Sequence, residues 1–160
     1  KYTSDLYEDI NYELRLNNVQ NNKTNIELIE SALMKYTLPE DINVFRYEGV
    51  EDLSTDEIIE AYSIAKKETY LYDNFLSTSI SIEGANNFLS YLKQENKYIA
   101  YKFISATLCK GINCGFLDKE LSYSHNEHEL LLNKGCCFEY TDLIKIDELI
   151  VKFLGKISKL

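Results

Sequence analysis

The sequence predicts an α+β fold in which N-terminal helices pack on a mixed or antiparallel β core of two sheets. Two observations carry this. Helical patterns come first and interleave with the early strand patterns, whereas the later strand patterns follow one another closely. That order differs from the regular alternation of a doubly wound α/β protein. In addition, 160 residues suffice for one substantial core but not for two, so residues 1–160 read as a single domain.

Tyr2, Leu6, Ile10 and Leu14 recur at every fourth position and give the first helix one apolar stripe. Thr24-x-x-Glu27 and Ser54-x-x-Glu57 have the form of capping boxes, in which hydroxyl and carboxylate satisfy orphan helix donors reciprocally. The first predicts a helix carrying Ile26, Ile29, Leu33 and Tyr36 that ends before the sole proline, Pro39. The second predicts a helix reaching Lys67, with Ile58, Ile59, Tyr62 and Ala65. Residues 82–93 form a short helix through Ile82, Ala85, Phe88, Leu89 and Leu92. Strand patterns cover 42–47, 70–79, 97–108, 128–133, 136–140 and parts of 143–155. In the first of them Ile42, Val44 and Arg46 share one face, and Asn43, Phe45 and Tyr47 the other. Gly111 and Gly115 flank a predicted turn, and Gly135 separates two strands in the manner of a hairpin.

Twenty-six acidic against seventeen basic residues give a net charge of −9. This opposes nonspecific binding to nucleic acid or to anionic membranes, because phosphate recognition needs a cationic surface. No apolar run approaches the ~20 residues of a membrane span, and no signal-peptide pattern opens the chain. A first residue of Lys1 fits a processed product or an excised piece of something longer. Cys109, Cys114, Cys136 and Cys137 lack a C-x-x-C zinc spacing, so structural thiols are expected and no metal. A disulfide between the 109–114 region and the 136–137 pair stays open for an oxidising compartment.

Four elements carry chemistry. Glu127 and Glu129 stand two apart before Leu130-Leu131-Leu132, a run that reads as a buried strand. On a regular strand both carboxylates would project to one face, where like charges repel and stability gains nothing. Arg46 falls among inward apolar positions, and a buried guanidinium needs an anionic partner, from the protein or from a ligand. Phe75-Leu76-Ser77-Thr78-Ser79 places hydroxyls at a strand end, where β-propensity and an N-cap for the next helix are the plain alternatives. Tyr2-Thr3-Ser4 precedes Tyr7 and Asn11, which share a helix face.

In this order, these elements resemble the mono-ADP-ribosyltransferases, and within them the bacterial toxin branch with an Arg, Ser-Thr-Ser, Glu-x-Glu signature that includes the actin-modifying binary toxins. The resemblance runs over essentially the whole chain, from Tyr2-Thr3 with Tyr7, Ile10 and Asn11 to Glu127-His128-Glu129-Leu130-Leu131-Leu132-Asn133-Lys134-Gly135. It implies an enzyme that breaks the nicotinamide–ribose bond of NAD, used as substrate without a metal, and passes ADP-ribose to a protein. The implied catalytic residues are Glu129, which would bind the ribose 2′-hydroxyl and stabilise the growing positive charge, Ser77, which would orient Glu129, and Glu127. By the same resemblance Arg46 would clamp the pyrophosphate, and Tyr2, Tyr7, Asn11, Ser77, Thr78, Ser79 and Glu129 complete the NAD-binding set. Glutamate two residues before the catalytic one implies arginine as acceptor, where the asparagine-modifying exoenzymes carry glutamine.

The resemblance further implies a host protein substrate, with actin one candidate, a secreted or host-cytosol location, and a delivery component outside this chain. Three departures bear on the target. Tyr47 stands where the actin-modifying toxins have a second arginine, Ile80 to Asn87 lacks the usual cation, and Ser124 replaces an aromatic residue. The competing expectations are an NAD glycohydrolase, which needs Arg46, Ser77 and Glu129 but not Glu127, and a non-catalytic adaptor of the same fold. The intact motif set argues against the adaptor.

Overall fold

A computed structural model describes residues 5–64, 69–117 and 128–160. Its helices are α1 (Asp5–Arg15), α2 (Lys23–Leu33), α3 (Thr55–Ile64) and α4 (Ile82–Gln94). Its strands are β1 (Ile42–Val50), β2 (Thr69–Tyr72), β3 (Leu76–Ser79), β4 (Ala100–Leu108), β5 (Cys114–Leu117), β6 (Glu129–Leu132), β7 (Cys136–Lys145) and β8 (Ile150–Lys159). The strands hydrogen-bond in the order β2-β7-β8-β4-β1-β3-β6-β5. Among the described strands only β4 and β8 run parallel, so the sheet is mixed, as expected for the α+β class. The two expected sheets are blocks of one ladder, β2-β7-β8-β4-β1 and β3-β6-β5. Their seam carries a single register pair, Phe45 with Ser79.

Alternation along β1 sorts its residues as the sequence implies. Val44 and Val50 join the main core with Ile58 of α3, and Phe45 and Tyr47 pack with Ala85, Leu89 and Leu92 of α4. A separate cluster joins Ile10 and Leu14 of α1 to Ile26, Leu33, Phe75 and Leu131. Leu130, Leu131 and Leu132 are all buried, and each contributes about 1.5–3 kcal/mol relative to exposure.

Several local expectations are corrected. Thr24 does not cap α2: the helix starts at Lys23, two residues earlier than that cap would place it, with Asn22 at the N-cap position and no side-chain cap. Order before the helix comes instead from the Glu13 carboxylate, which accepts from the backbone N–H groups of Gln20, Asn21 and Asn22 at 3.2–3.3 Å. Tyr36 lies beyond the end of α2. Ser54 does cap α3, accepting from Glu57 N–H at 3.2 Å, while Ala65 and Lys67 lie outside the described residues. Residues 70–79 form two strands at remote places in the sheet, because 73–75 turn away and bury Phe75 completely. Gly111 makes its turn with φ +95°, but Gly115 lies inside β5, a strand that the sequence did not announce. Gly135 has φ +87° without forming a hairpin, since β6 and β7 are not neighbours in the sheet. It stands where the chain leaves one block for the other, and its N–H donates to Tyr72 O at 2.8 Å.

The four cysteines are free thiols, and burial pushes Cys136 up to about 12, with Cys137 and Cys114 adding to the shift. Among the described residues no helix is long and apolar enough to cross a membrane.

Candidate active site

The β3–β6 register sets Ser77 opposite Leu131 and Ser79 opposite Glu129, so these four residues share one face. Ser77 Oγ donates to Glu129 Oε1 at 2.6 Å, the short distance of a charge-assisted bond. Glu129 is only 5% exposed, and burying a carboxylate in this way is costly unless donors surround it. Thr78 is turned to the opposite face, where its hydroxyl donates to Leu130 O at 2.8 Å. Ser79 is buried beside the seam. The cap of α4 falls to Ser81, whose Oγ accepts from Gly84 N–H at 3.0 Å, leaving Ser77 for the carboxylate.

Arg46 reaches this pair across the seam. Its Nη1 donates to Ser77 O at 2.7 Å, and its Nε donates to Glu48 Oε1 at 3.0 Å. Arg46 and Glu48 meet because they are two apart on β1 and face the same way. Glu48 also accepts from Tyr72 Oη at 3.3 Å and stands opposite Lys102 in the β1–β4 register. A continuous chain of polar contacts therefore runs Glu48–Arg46–Ser77–Glu129.

Burial pushes the Glu48 carboxyl up. The Arg46 guanidinium, the Lys102 ammonium and hydrogen bonds from Arg46 and Tyr72 together outweigh it and hold the group below the usual carboxylate range. A folded value below the unfolded one gives stabilisation that is complete above the unfolded value of about 4.3 and lost as pH falls through the folded value. Glu48→Gln is expected to cost about 1.5–3 kcal/mol near neutrality, the range for hydrogen bonds to charged groups. The difference from wild type should shrink below about pH 4. Urea titrations of both proteins between pH 7 and pH 3 check it, and a pH-independent difference would count against the ion pair as its source.

Asn11 is buried on α1, whose neighbours Ile10 and Leu14 pack with Phe75 and Leu131. Leu131 shares the Glu129 face, so α1 lies over the face that carries the carboxylate. Tyr7 falls in α1 with its side chain outside the description, and Tyr2 and Glu127 lie outside the described residues. The strand begins at Glu129, not before it, and His128 has φ +49°. β6 therefore starts one residue later than the 128–133 strand expected from the sequence.

Tyr47, at the position of the expected second arginine, faces away from Arg46. It stacks on Phe103 at 4.6 Å and donates to Asn86 Oδ1 at 3.4 Å. Sequence reasoning missed Glu48 and His128. An acid two places after a strand arginine was a readable signal for the first. The only hint of the second was its place between the two glutamates.

A family model described as ADP-ribosyltransferase exoenzyme matches residues 1–153. No curated protein matches the chain. Among solved structures, the fold is similar to that of BECa, the ADP-ribosylating toxin of a binary enterotoxin of C. perfringens, solved with NADH. The TM-score is 0.71 at 17% identity, covering 98% of this chain and 41% of BECa, so this chain spans less than half of that toxin. Plx2a, an ADP-ribosyltransferase toxin from Paenibacillus larvae, aligns with TM-score 0.70 at 21% identity, over 99% of this chain and 82% of its own. C3stau2 from S. aureus, solved with NAD, aligns with TM-score 0.70 at 16% identity, over 99% and 84% respectively.

Proposed function

Because the chain belongs to the ADP-ribosyltransferase exoenzyme family, we propose that it transfers ADP-ribose from NAD to an arginine of a host protein and releases nicotinamide. The observation that carries the NAD half of this reading is the buried Ser77–Glu129 pair with Arg46 bonded to the same serine. Breaking the nicotinamide–ribose bond develops positive charge on the ribose, the problem that glycosidases also meet with a carboxylate. A Glu129 carboxylate held in place before the reaction would answer that charge without reorganising. Its second oxygen is suited to the ribose 2′-hydroxyl. Ser77 fixes the rotamer of the carboxylate through one short bond.

Arg46 brings a planar fork suited to the pyrophosphate, and Glu48 and Ser77 O fix its orientation before NAD arrives. Asn11 and Tyr7 on α1, together with Tyr2, would line the dinucleotide, with Ser79 beside Glu129 and Thr78 closing the strand behind them. Glu127 serves the acceptor. A guanidinium is always charged and a poor nucleophile, so a carboxylate that binds it and draws off a proton assists its attack. Secretion, delivery by a separate component and action in the host cytosol belong to the same proposal. So does the identity of the target, for which actin remains a candidate.

Arg46→Lys keeps the charge and loses the fork. It is expected to raise the Kd for NAD by at least about tenfold, one to two charge-assisted bonds being worth that much, with little change in Tm. Calorimetric titration with NAD alongside a thermal scan checks it. Severe unfolding with unchanged NAD affinity would make Arg46 a structural ion-pair residue only. The function itself is tested by incubating the chain with labelled NAD and host-cell lysate, then identifying the labelled protein and side chain. Label on arginine is the expected result. Nicotinamide release without protein label would make the chain an NAD glycohydrolase, and no turnover at all an adaptor.

A further inference from the structure

Glu48 stands at one end of the polar chain described above, and it raises an electrostatic difficulty. A carboxylate beside a guanidinium orients it but also cancels its charge, and a cation is what a dinucleotide diphosphate requires. The rest of the chain offers little to offset this. Its net charge is −9, its only other arginine is Arg15, and Ile80 to Asn87 contributes Glu83 and no cation.

Two residues on other elements meet Glu48. Tyr72 of β2 donates its hydroxyl to Oε1 at 3.3 Å, the same oxygen that Arg46 Nε reaches at 3.0 Å. Tyr72 is buried, and burial together with the Glu48 carboxylate pushes its phenol far up, so it stays a donor. Lys102 stands directly opposite Glu48 in the β1–β4 register, and opposite residues of an antiparallel pair project to one face. Its ammonium turns to Tyr62 of α3, donating to Oη at 3.1 Å. It lies 5.2 Å from the centre of the Tyr62 ring and 5.7 Å from that of Phe153. Tyr62 is itself held edge-on against Phe153 at 4.9 Å, so α3 and β8 fix where this charge sits. Burial opposes the Lys102 charge, but Glu48 and Tyr62 outweigh it and hold the ammonium above its usual range. Glu48, Lys102, Tyr62, Tyr70 and Tyr72 line one cleft, which leaves room beside the ammonium.

We propose that Lys102 is a positioning residue for NAD binding: with Tyr72 it draws on the Glu48 carboxylate, so that Glu48 orients Arg46 without cancelling the cation that the diphosphate meets. This rests on the pairing of Arg46 with the pyrophosphate proposed above. Arg46, Glu48 and Lys102 together carry one net positive charge. Without the ammonium that sum falls to zero, Glu48 leans wholly on Arg46, and the guanidinium becomes a poorer partner for an anion. Cleavage at the ribose is left to Glu129 and Ser77, so the loss falls on binding and not on turnover.

The test measures the Kd for NAD by calorimetric titration at low salt and at about 0.3 M salt, where partly exposed charges are screened. Nicotinamide release at saturating NAD and a thermal scan accompany it. Lys102→Met keeps the stem against Tyr62 and Phe153 and removes the charge. Its Kd should rise at least about threefold at low salt and by less at high salt. Its turnover at saturating NAD should stay within about twofold of wild type. Lys102→Arg restores the charge in a cleft with room for the longer head, so its Kd should stay within about twofold. Lys156→Met makes an equal change of net charge on the exposed part of β8, two strands from β1, and should leave the Kd unmoved. In a Glu48→Gln background Lys102→Met should cost clearly less, because the charge it offsets is gone. An unmoved Kd in Lys102→Met, an equal rise in Lys156→Met, or the same loss with and without Glu48 would overturn the proposal. If Lys102→Met does not fold, Tyr72→Phe, which keeps the ring and loses one donor, decides by the same rise in Kd. A wild-type chain that binds no NAD overturns the proposed function as well, whereas normal binding that Lys102→Met leaves unmoved overturns the role of Lys102 alone.

Discussion

Glu129→Gln is expected to lose ADP-ribose transfer and NAD hydrolysis together, each by at least about 100-fold, in line with the ~3 kcal/mol typical of one lost transition-state electrostatic contact. The substitution keeps the shape of the side chain and leaves an oxygen to accept from Ser77, so the fold has little reason to change. Stability should hold or rise, because a buried amide escapes the desolvation cost that the 5%-exposed carboxylate bears. Steady-state nicotinamide release and a thermal scan on the same preparation provide both halves of the check. Near-wild-type turnover in a folded variant would remove Glu129 from the mechanism and the functional assignment with it.

Glu127→Gln should separate the two half-reactions. Arginine modification is expected to collapse by about two orders of magnitude, because the amide neither pairs with the guanidinium charge nor takes its proton. NAD binding and much of the NAD hydrolysis should persist, since Arg46, Ser77 and Glu129 are untouched. Glu127→Asp should rescue little: shortening the side chain withdraws the carboxylate by about one C–C bond, and a ~1 Å error can cost about 100-fold. The measurement pairs acceptor-free nicotinamide release with label transfer to protein arginine. Should both activities fall together, or transfer survive, Glu127 does not serve the acceptor and the arginine reading is withdrawn.

Side-chain period made much of this site readable from the chain alone. Period two put Val44 and Arg46 on one face of β1 and Phe45 and Tyr47 on the other, and the structure keeps that division. Leu130 to Leu132 announced a strand buried on both faces, which they form. Where the sequence misled, non-local contacts outweighed a local signal. The Thr24 box was sound chemistry, but the Glu13 carboxylate, nine residues before Asn22, already ordered the start of α2. Gly135 carries the positive φ of a tight turn, yet the strands it joins pair with remote partners, a choice that turn chemistry does not encode. The single most consequential departure is at His128. Strand propensity gave no warning that a histidine would adopt a left-handed backbone, and the side-chain partner it meets there, Ser81, lies 47 residues away. Glu48 was legible in principle, since a strand arginine with an acid two places on has a partner within reach.

The place of β8 has a kinetic consequence. It follows every other strand in the sequence, yet it lies inside the sheet, antiparallel to β7 and parallel to β4. The β7–β8 ribbon is local and can form within microseconds. Its parallel docking joins Tyr101 to Ile150, a closure over a long intervening segment that slows folding by its entropy. Until that step, β4 presents an unpaired edge whose residues include Ala100, Tyr101, Ile104, Ala106 and Leu108, all apolar and buried in the finished fold. Refolding yield should therefore fall with rising protein concentration, and pulse-labelled amide exchange should find the β4–β8 hydrogen bonds among the last to be protected. Early protection there would mean that the ribbon docks before the rest of the sheet forms. On this view, the hazard in making the protein lies in a brief exposed edge along the folding route, far from the residues that would handle NAD.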